Sequence, residues 1–180
     1  MLMNYFRKMT GTTKSPPRVS AWEIVLSWMG SFLGIASVAL LNFRFLEGSD
    51  LVMIIGSFGA SAVLIYGAIK SPLAQPRNLI GGHVISAAIG VAFFKLLPGE
   101  PWLAASMAVA TAIAAMHATK TLHPPGGATA LIAVIGTEKI HYLGFLYVLV
   151  PAGAGAAIML LVALIFNNIP KSRRYPEFWM

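Results

Sequence analysis

The sequence predicts an all-α polytopic transmembrane bundle, two copies of a three-element repeat with two broken or re-entrant helices. Three observations predict it. Hydrophobic residues make up 57% of the chain and charged residues 11%, with a mean hydropathy of +0.75; soluble domains carry roughly 25% charged residues. A globule of 180 residues exposes a large area that polar groups must cover, and six acidic plus thirteen basic residues do not suffice. Finally, the apolar residues fall in runs of membrane-spanning length, two of them interrupted by similar small-residue motifs. Residues 1–21 read as a cytoplasmic or interfacial segment, 22–166 as a single transmembrane domain, and 167–180 as a basic cytoplasmic tail.

The N-terminal stretch is no signal peptide, because its basic pair, Arg7 and Lys8, follows the apolar residues and no small-residue cleavage site comes next. A first spanning helix is expected over Trp22–Leu41, opened by Glu23, since a bilayer core needs about 20 apolar residues. The second run, Leu51–Ile69, has the length but carries Gly56-Ser57-Phe58-Gly59, where a break is expected. The third, Leu79–Leu97, opens with Gly81, Gly82 and His83. The fourth runs from Trp102 to about Leu122, with His117, Lys120 and His123 on nearly one face at its far end. Pro124-Pro125-Gly126-Gly127 stops any continuous helix, and Ala128–Ile135 is too short to cross alone. The last run, Tyr142–Phe166, is ample, with a kink expected at Pro151.

Charge sets the topology. Arg7, Lys8, Lys14 and Arg18 precede the first span, and Lys171, Arg173 and Arg174 follow the last, so the positive-inside rule puts both ends in the cytoplasm, here of a bacterial inner (plasma) membrane, and makes the number of crossings even. The same placement argues against nucleic acid as the partner of the +7 net charge. Six crossings gather the terminal bases with Lys70, Arg77 and Lys120 on one side and leave only Arg44, Lys95 and Lys139 opposite, a cleaner division than four crossings with two re-entrant segments.

Gly-Ala-Ser-Ala-Val-Leu at 59–64 aligns with Gly-Ala-Thr-Ala-Leu-Ile at 127–132, so the two breaks read as copies, with repeat one about 22–97 and repeat two about 102–166. An odd number of elements per repeat inverts the second copy and brings the breaks together near the midplane. A helix that begins inside the membrane presents unpartnered N–H groups and about half a positive charge. Ser57, Gly59, Ala60 and Ser61 at one break, with Gly126, Gly127, Ala128 and Thr129 at the other, let a small anion approach the backbone and add hydroxyl donors. Tight packing of small residues is the plainer use of such sequences, and is expected of Gly30 and Gly34.

His123 and Lys120 are expected to supply positive charge or proton coupling to the break, because ionisable groups in a span usually face a pathway. His117 is read equally as a packed histidine. Arg77, Asn78 and His83 are expected at the mouth of a pore, where headgroup contact and helix capping are equally available uses. No cofactor is expected and no metal, since His83, His117 and His123 lack a neighbouring carboxylate. Without cysteine, thiolate chemistry is excluded. An intramembrane hydrolase pairing Ser61 or Ser57 with His123 is imaginable if the breaks meet, though the chain has no Gly-x-Ser-x-Gly elbow.

Leu-His-Pro-Pro-Gly-Gly-Ala-Thr-Ala at 122–130 resembles the signature of the HPP family of integral membrane proteins. Ser-Phe-Gly-Ala-Ser-Ala at 57–62 and the block from Ser71 to His83 resemble its other recognisable motifs. The resemblance implies four transmembrane segments as the family is usually described, and transport of nitrite, with which chloroplast and cyanobacterial members are associated. Some bacterial members carry cytoplasmic CBS domains after the membrane part, and nucleotide regulation in cis is not expected here. The expectation is therefore a transporter or channel for a small inorganic anion, most simply nitrite, with a proton as possible co-substrate, membrane lipid around it and a homo-oligomer as its assembly. A membrane-embedded binding or regulatory module without transport is the first alternative, and an intramembrane enzyme the second.

Overall fold

Four helices are long and apolar enough to cross a bilayer: α2 (Ala21–Phe45), α4 (Pro76–Leu96), α5 (Pro101–Ala118), and the run Val148–Phe166, which a kink divides before α8 (Ala154–Phe166). The structure, a computed structural model, describes residues 2–180. Every element among the described residues is helical, the others being α1 (Leu2–Arg7), α3 (Ser57–Ala62, continued by π-helical turns to Gly67), α6 (Pro124–Ile135) and α7 (Glu138–Leu143). Large apolar side chains on the outside, among them Trp22, Trp28, Phe32 and Leu161, give the bundle a surface suited to lipid rather than water. The chain is an integral membrane protein.

Local chemistry accounts for the helix ends. The Ser20 hydroxyl caps α2 by accepting from the Glu23 N–H at 3.1 Å. Proline begins α4, α5 and α6, where its missing N–H costs nothing. At Val150, next to Pro151, the backbone leaves helical geometry (φ −135°, ψ 119°), which is the expected kink.

Neither short helix spans a bilayer. The 12 residues of α6 cover about 18 Å of a hydrocarbon core about 30 Å thick. Contacts between chain ends show how these segments run. At one end of the bundle Arg173 pairs with Glu23 at 2.6 Å, the Glu177 N–H donates to Gln75 Oε1, and Arg77 donates to the Thr119 carbonyl. At the other end Lys139 donates to the Ser49 carbonyl, and the rings of Phe94 and His141 stack 4.0 Å apart. The chain visits these ends alternately, so it traverses the bundle six times: four as long helices and two, residues 51–67 and 119–135, as an extended piece joined to a short helix.

The extended pieces satisfy their backbone through side chains, as membrane depth requires. Asn42 Oδ1 accepts from the N–H groups of Met53 and Ile54, at 2.8 and 3.3 Å. In the second piece Arg77 donates to the Thr119 carbonyl at 3.0 Å and Asn78 to that of Leu122 at 2.8 Å. The fourth helix consequently ends at Ala118, not near Leu122 as expected, and residues 119–123 continue without helical structure.

Glycine permits the close approaches. Gly30 and Gly34 lie against the ring of Tyr66, which would collide with a Cβ at either position. Gly82 and Gly126 bring α4 and α6 together, with the Gly82 carbonyl 2.7 Å from where a Cβ of residue 126 would stand.

Candidate functional site at the junction of the half-helices

The half-helices α3 and α6 pass each other beside α4, and the polar faces they turn inward meet there. Ser57 and Ser61 are one helical turn apart and share a face. Opposite them α6 presents Thr129, with His123 as its N-cap residue, and α4 presents His83. The five side chains form one connected network. Ser61 Oγ lies 2.7 Å from His83 Nε2 and 2.9 Å from His123 Nε2. His83 Nδ1 lies 2.7 Å from Thr129 Oγ1, which reaches Ser57 Oγ at 2.9 Å and the Pro125 carbonyl at 3.1 Å. His123 Nδ1 donates to the Leu73 carbonyl at 2.8 Å. The imidazole rings are 5.1 Å apart, and the Phe58 ring packs T-shaped against that of His83 at 5.2 Å.

All five residues are at most 1% exposed, yet among the described residues no buried side-chain polar atom lacks a partner. Burying so many polar groups is tolerable only when each is bonded. Among the described residues no Asp, Glu, Lys or Arg side chain bonds to the network; the Tyr147 hydroxyl donates to the Thr129 carbonyl.

The other expected site residues are placed differently. Lys120 is exposed, in a turn at φ 55°, because α5 stops before it; it does not aim at the break, and His117 is exposed as well. Gly59 and Ala60 lie on the outer face of α3, away from the network. Gly126 is buried against α4, while Gly127 and Ala128 line an apolar groove between α5 and α6. Arg77 and Asn78 hold the extended piece 119–123, and His83, expected at a mouth, is at the centre. His83 is legible in hindsight: a histidine directly after Gly81-Gly82 stands where the chain permits another backbone to approach. The Leu73 carbonyl, Tyr147 and Asn42 carried no comparable signal.

Among the described residues no group of three or more His, Asp or Glu could hold a metal ion. A cavity of about 400 Å³ opens at the end that carries both termini, lined by Val19, Glu23, Lys70, Ser71 and Arg173 among others.

The model of the family described as "HPP, transmembrane region" matches residues 16–176. The chain belongs to the HPP transmembrane family. The triplet from which the HPP family is named is part of the network here: His123 is a member, Pro124 begins α6, and the Pro125 carbonyl faces Thr129. A transmembrane protein of Dictyostelium discoideum is 48% identical over 180 residues, covering 98% of this chain and 58% of that protein. A second from the same organism is 45% identical over 183 residues, covering 99% of this chain and 64% of its own. The chain thus spans about three fifths of the length of these HPP relatives. No solved structure matches it.

Proposed function

We propose that this HPP protein carries a small inorganic anion, most simply nitrite, across its membrane through the junction of the two half-helices. One observation carries the proposal: a buried hydroxyl–imidazole cluster, free of acidic groups, lies where the two short apolar helices that stop part-way through the bundle meet. Hydroxyls and imidazoles are small-anion donors, and a broken helix is where membrane transporters expose them. The opposite directions of 51–67 and 119–135 support an inverted repeat, and with it a pathway opened alternately from each face. The cluster is closed on all sides, so the conformation described is an occluded one. In this reading both termini are cytoplasmic, by the positive-inside rule, and the cavity lined by Lys70 and Ser71 is the vestibule on that side. A homo-oligomer belongs to the same proposal, but its contact lies elsewhere than Gly30 and Gly34, which Tyr66 of the same chain fills.

Nitrite flux into liposomes containing the purified protein, against empty liposomes, tests the proposal. Thr129→Val keeps the shape of the side chain but removes the hydroxyl that joins His83 to Ser57. Uptake is expected to fall tenfold or more while the protein stays monodisperse in detergent; unchanged uptake would remove the junction from the pathway.

An intramembrane hydrolase is favoured by one observation, the Ser61 hydroxyl 2.9 Å from His123 Nε2 with Nδ1 oriented by a carbonyl. Covalent labelling of Ser61 by a fluorophosphonate, lost in Ser61→Ala, would support it; no labelling is expected, because Ser61 is fully buried.

A further inference from the structure

Counting hydrogens fixes the network more tightly than its distances do. The Leu73 carbonyl only accepts, so His123 Nδ1 carries a hydrogen. With a neutral ring, Nε2 is then bare and must receive the single hydrogen of Ser61. Ser61 has none left for His83, so His83 Nε2 donates to Ser61. The neutral His83 ring is therefore bare at Nδ1 and takes the hydrogen of Thr129. In the all-neutral state each of these donors is committed, and the hydrogens point one way along the chain, from Thr129 towards Leu73.

One more proton can enter at either ring, and each time a single hydroxyl rotation makes room. If His83 gains a proton at Nδ1, Thr129 turns its hydrogen to the Pro125 carbonyl, 3.1 Å away. If His123 gains one at Nε2, Ser61 turns to the Ser57 carbonyl, 3.4 Å away. Passage between the rings breaks the His83 Nε2–H bond, forms an O–H bond on Ser61, and sends the former Ser61 hydrogen to His123 Nε2. Each bond broken is matched by one formed. The proton goes no further, because His123 Nδ1 is already closed by Leu73. Two protons at once would place like charges 5.1 Å apart in a buried site.

The groups facing the rings supply no counter-charge. α3 offers Ser57, Ser61 and Phe58, α6 offers Thr129, and the loop before α4 offers the Leu73 carbonyl. The Tyr147 hydroxyl is spent on the Thr129 carbonyl, and the guanidinium of Arg77 is bonded away at Thr119. A lone buried cation is costly without a partner. We infer that the histidine pair bridged by Ser61 takes up one proton together with the transported anion, so that the loaded site is neutral and transport is an electroneutral symport of one proton with one monovalent anion. The inference rests on the anion pathway proposed above.

Two measurements on the unaltered protein test it. In proteoliposomes clamped with potassium and valinomycin at mildly alkaline pH, with the leak of protein-free vesicles subtracted, initial nitrite uptake should rise severalfold with an inward proton gradient of one unit. It should be unmoved by a potential of about 59 mV of either sign, the value equivalent to that gradient for one charge, with one proton entering per nitrite. Uptake driven by the potential without proton entry overturns the symport and leaves the anion pathway standing. No flux of nitrite, nitrate or formate overturns the pathway and the symport with it. Separately, nitrogen-15 NMR of labelled histidine should show His123 protonated at Nδ1 and His83 at Nε2 without anion, and one imidazolium per protein when nitrite is added at mildly acid pH. Two rings that stay neutral with nitrite bound overturn the inference whatever the flux.

Discussion

At the scale of residues, the site is a problem of hydrogen bookkeeping, and its most informative substitution is one that keeps shape. His123→Gln keeps an amide N–H that can reach the Leu73 carbonyl but removes the titrating ring. Uptake is expected to persist at a reduced rate and to lose its dependence on pH, measured as initial nitrite flux between mildly acid and mildly alkaline buffer; a retained dependence would put the proton on His83 alone. Ser57, Ser61, Thr129 and His123 were legible in the sequence because polar groups inside apolar runs stand out, and because the two small-residue motifs match. His83 was legible as a residue but not in its place, since only the packing of α4 against both half-helices brings it to the centre. Lys120 failed for a local reason. The helix that would aim it at the break ends two residues earlier, and a turn carries it outward.

Between helices, the extended halves are the novelty. The spans followed from run length and hydropathy, and the breaks from glycine and proline, but an extended segment inside a membrane needs partners for its backbone that are distant in sequence. Asn42 is one, eleven and twelve residues before the N–H groups it accepts, and nothing in the pattern around it marks it. Asn42→Ala leaves those N–H groups without that acceptor, and each unmet buried group costs about 1–3 kcal/mol. The detergent-solubilised variant is expected to melt at a lower temperature in a thermal shift assay, and Asn42→Asp, which restores an acceptor, to recover most of the loss. An Asn42→Ala protein as stable as the parent would mean that the segment finds its partners elsewhere. The same dependence at residues 119–123 explains why Arg77 and Asn78, which read as a mouth, are occupied with carbonyl groups of the chain.

For the whole molecule, the two ends differ in charge. Glu47, Asp50, Glu100 and Glu138 belong to the end where Lys139 meets Ser49, while the basic termini, Lys70, Arg77 and Lys120 belong to the other. Because the chain has no cysteine, orientation can be measured directly: Lys139→Cys should react with an impermeant maleimide from outside intact cells and Lys171→Cys only after lysis. Labelling of both from the same side would refute the six traverses as a membrane topology. The end that holds the termini is also tied together. Arg173 is bonded to Glu23, Ser27 and Asn167, the Tyr175 hydroxyl donates to the Ala74 carbonyl, burial raises that phenol above its usual range, and the Glu177 N–H donates to Gln75. Ala74 and Gln75 directly follow Leu73, whose carbonyl orients His123. The tail is in effect a hasp: anything that grips it from the aqueous side gains leverage on an imidazole buried inside the bundle that it never touches.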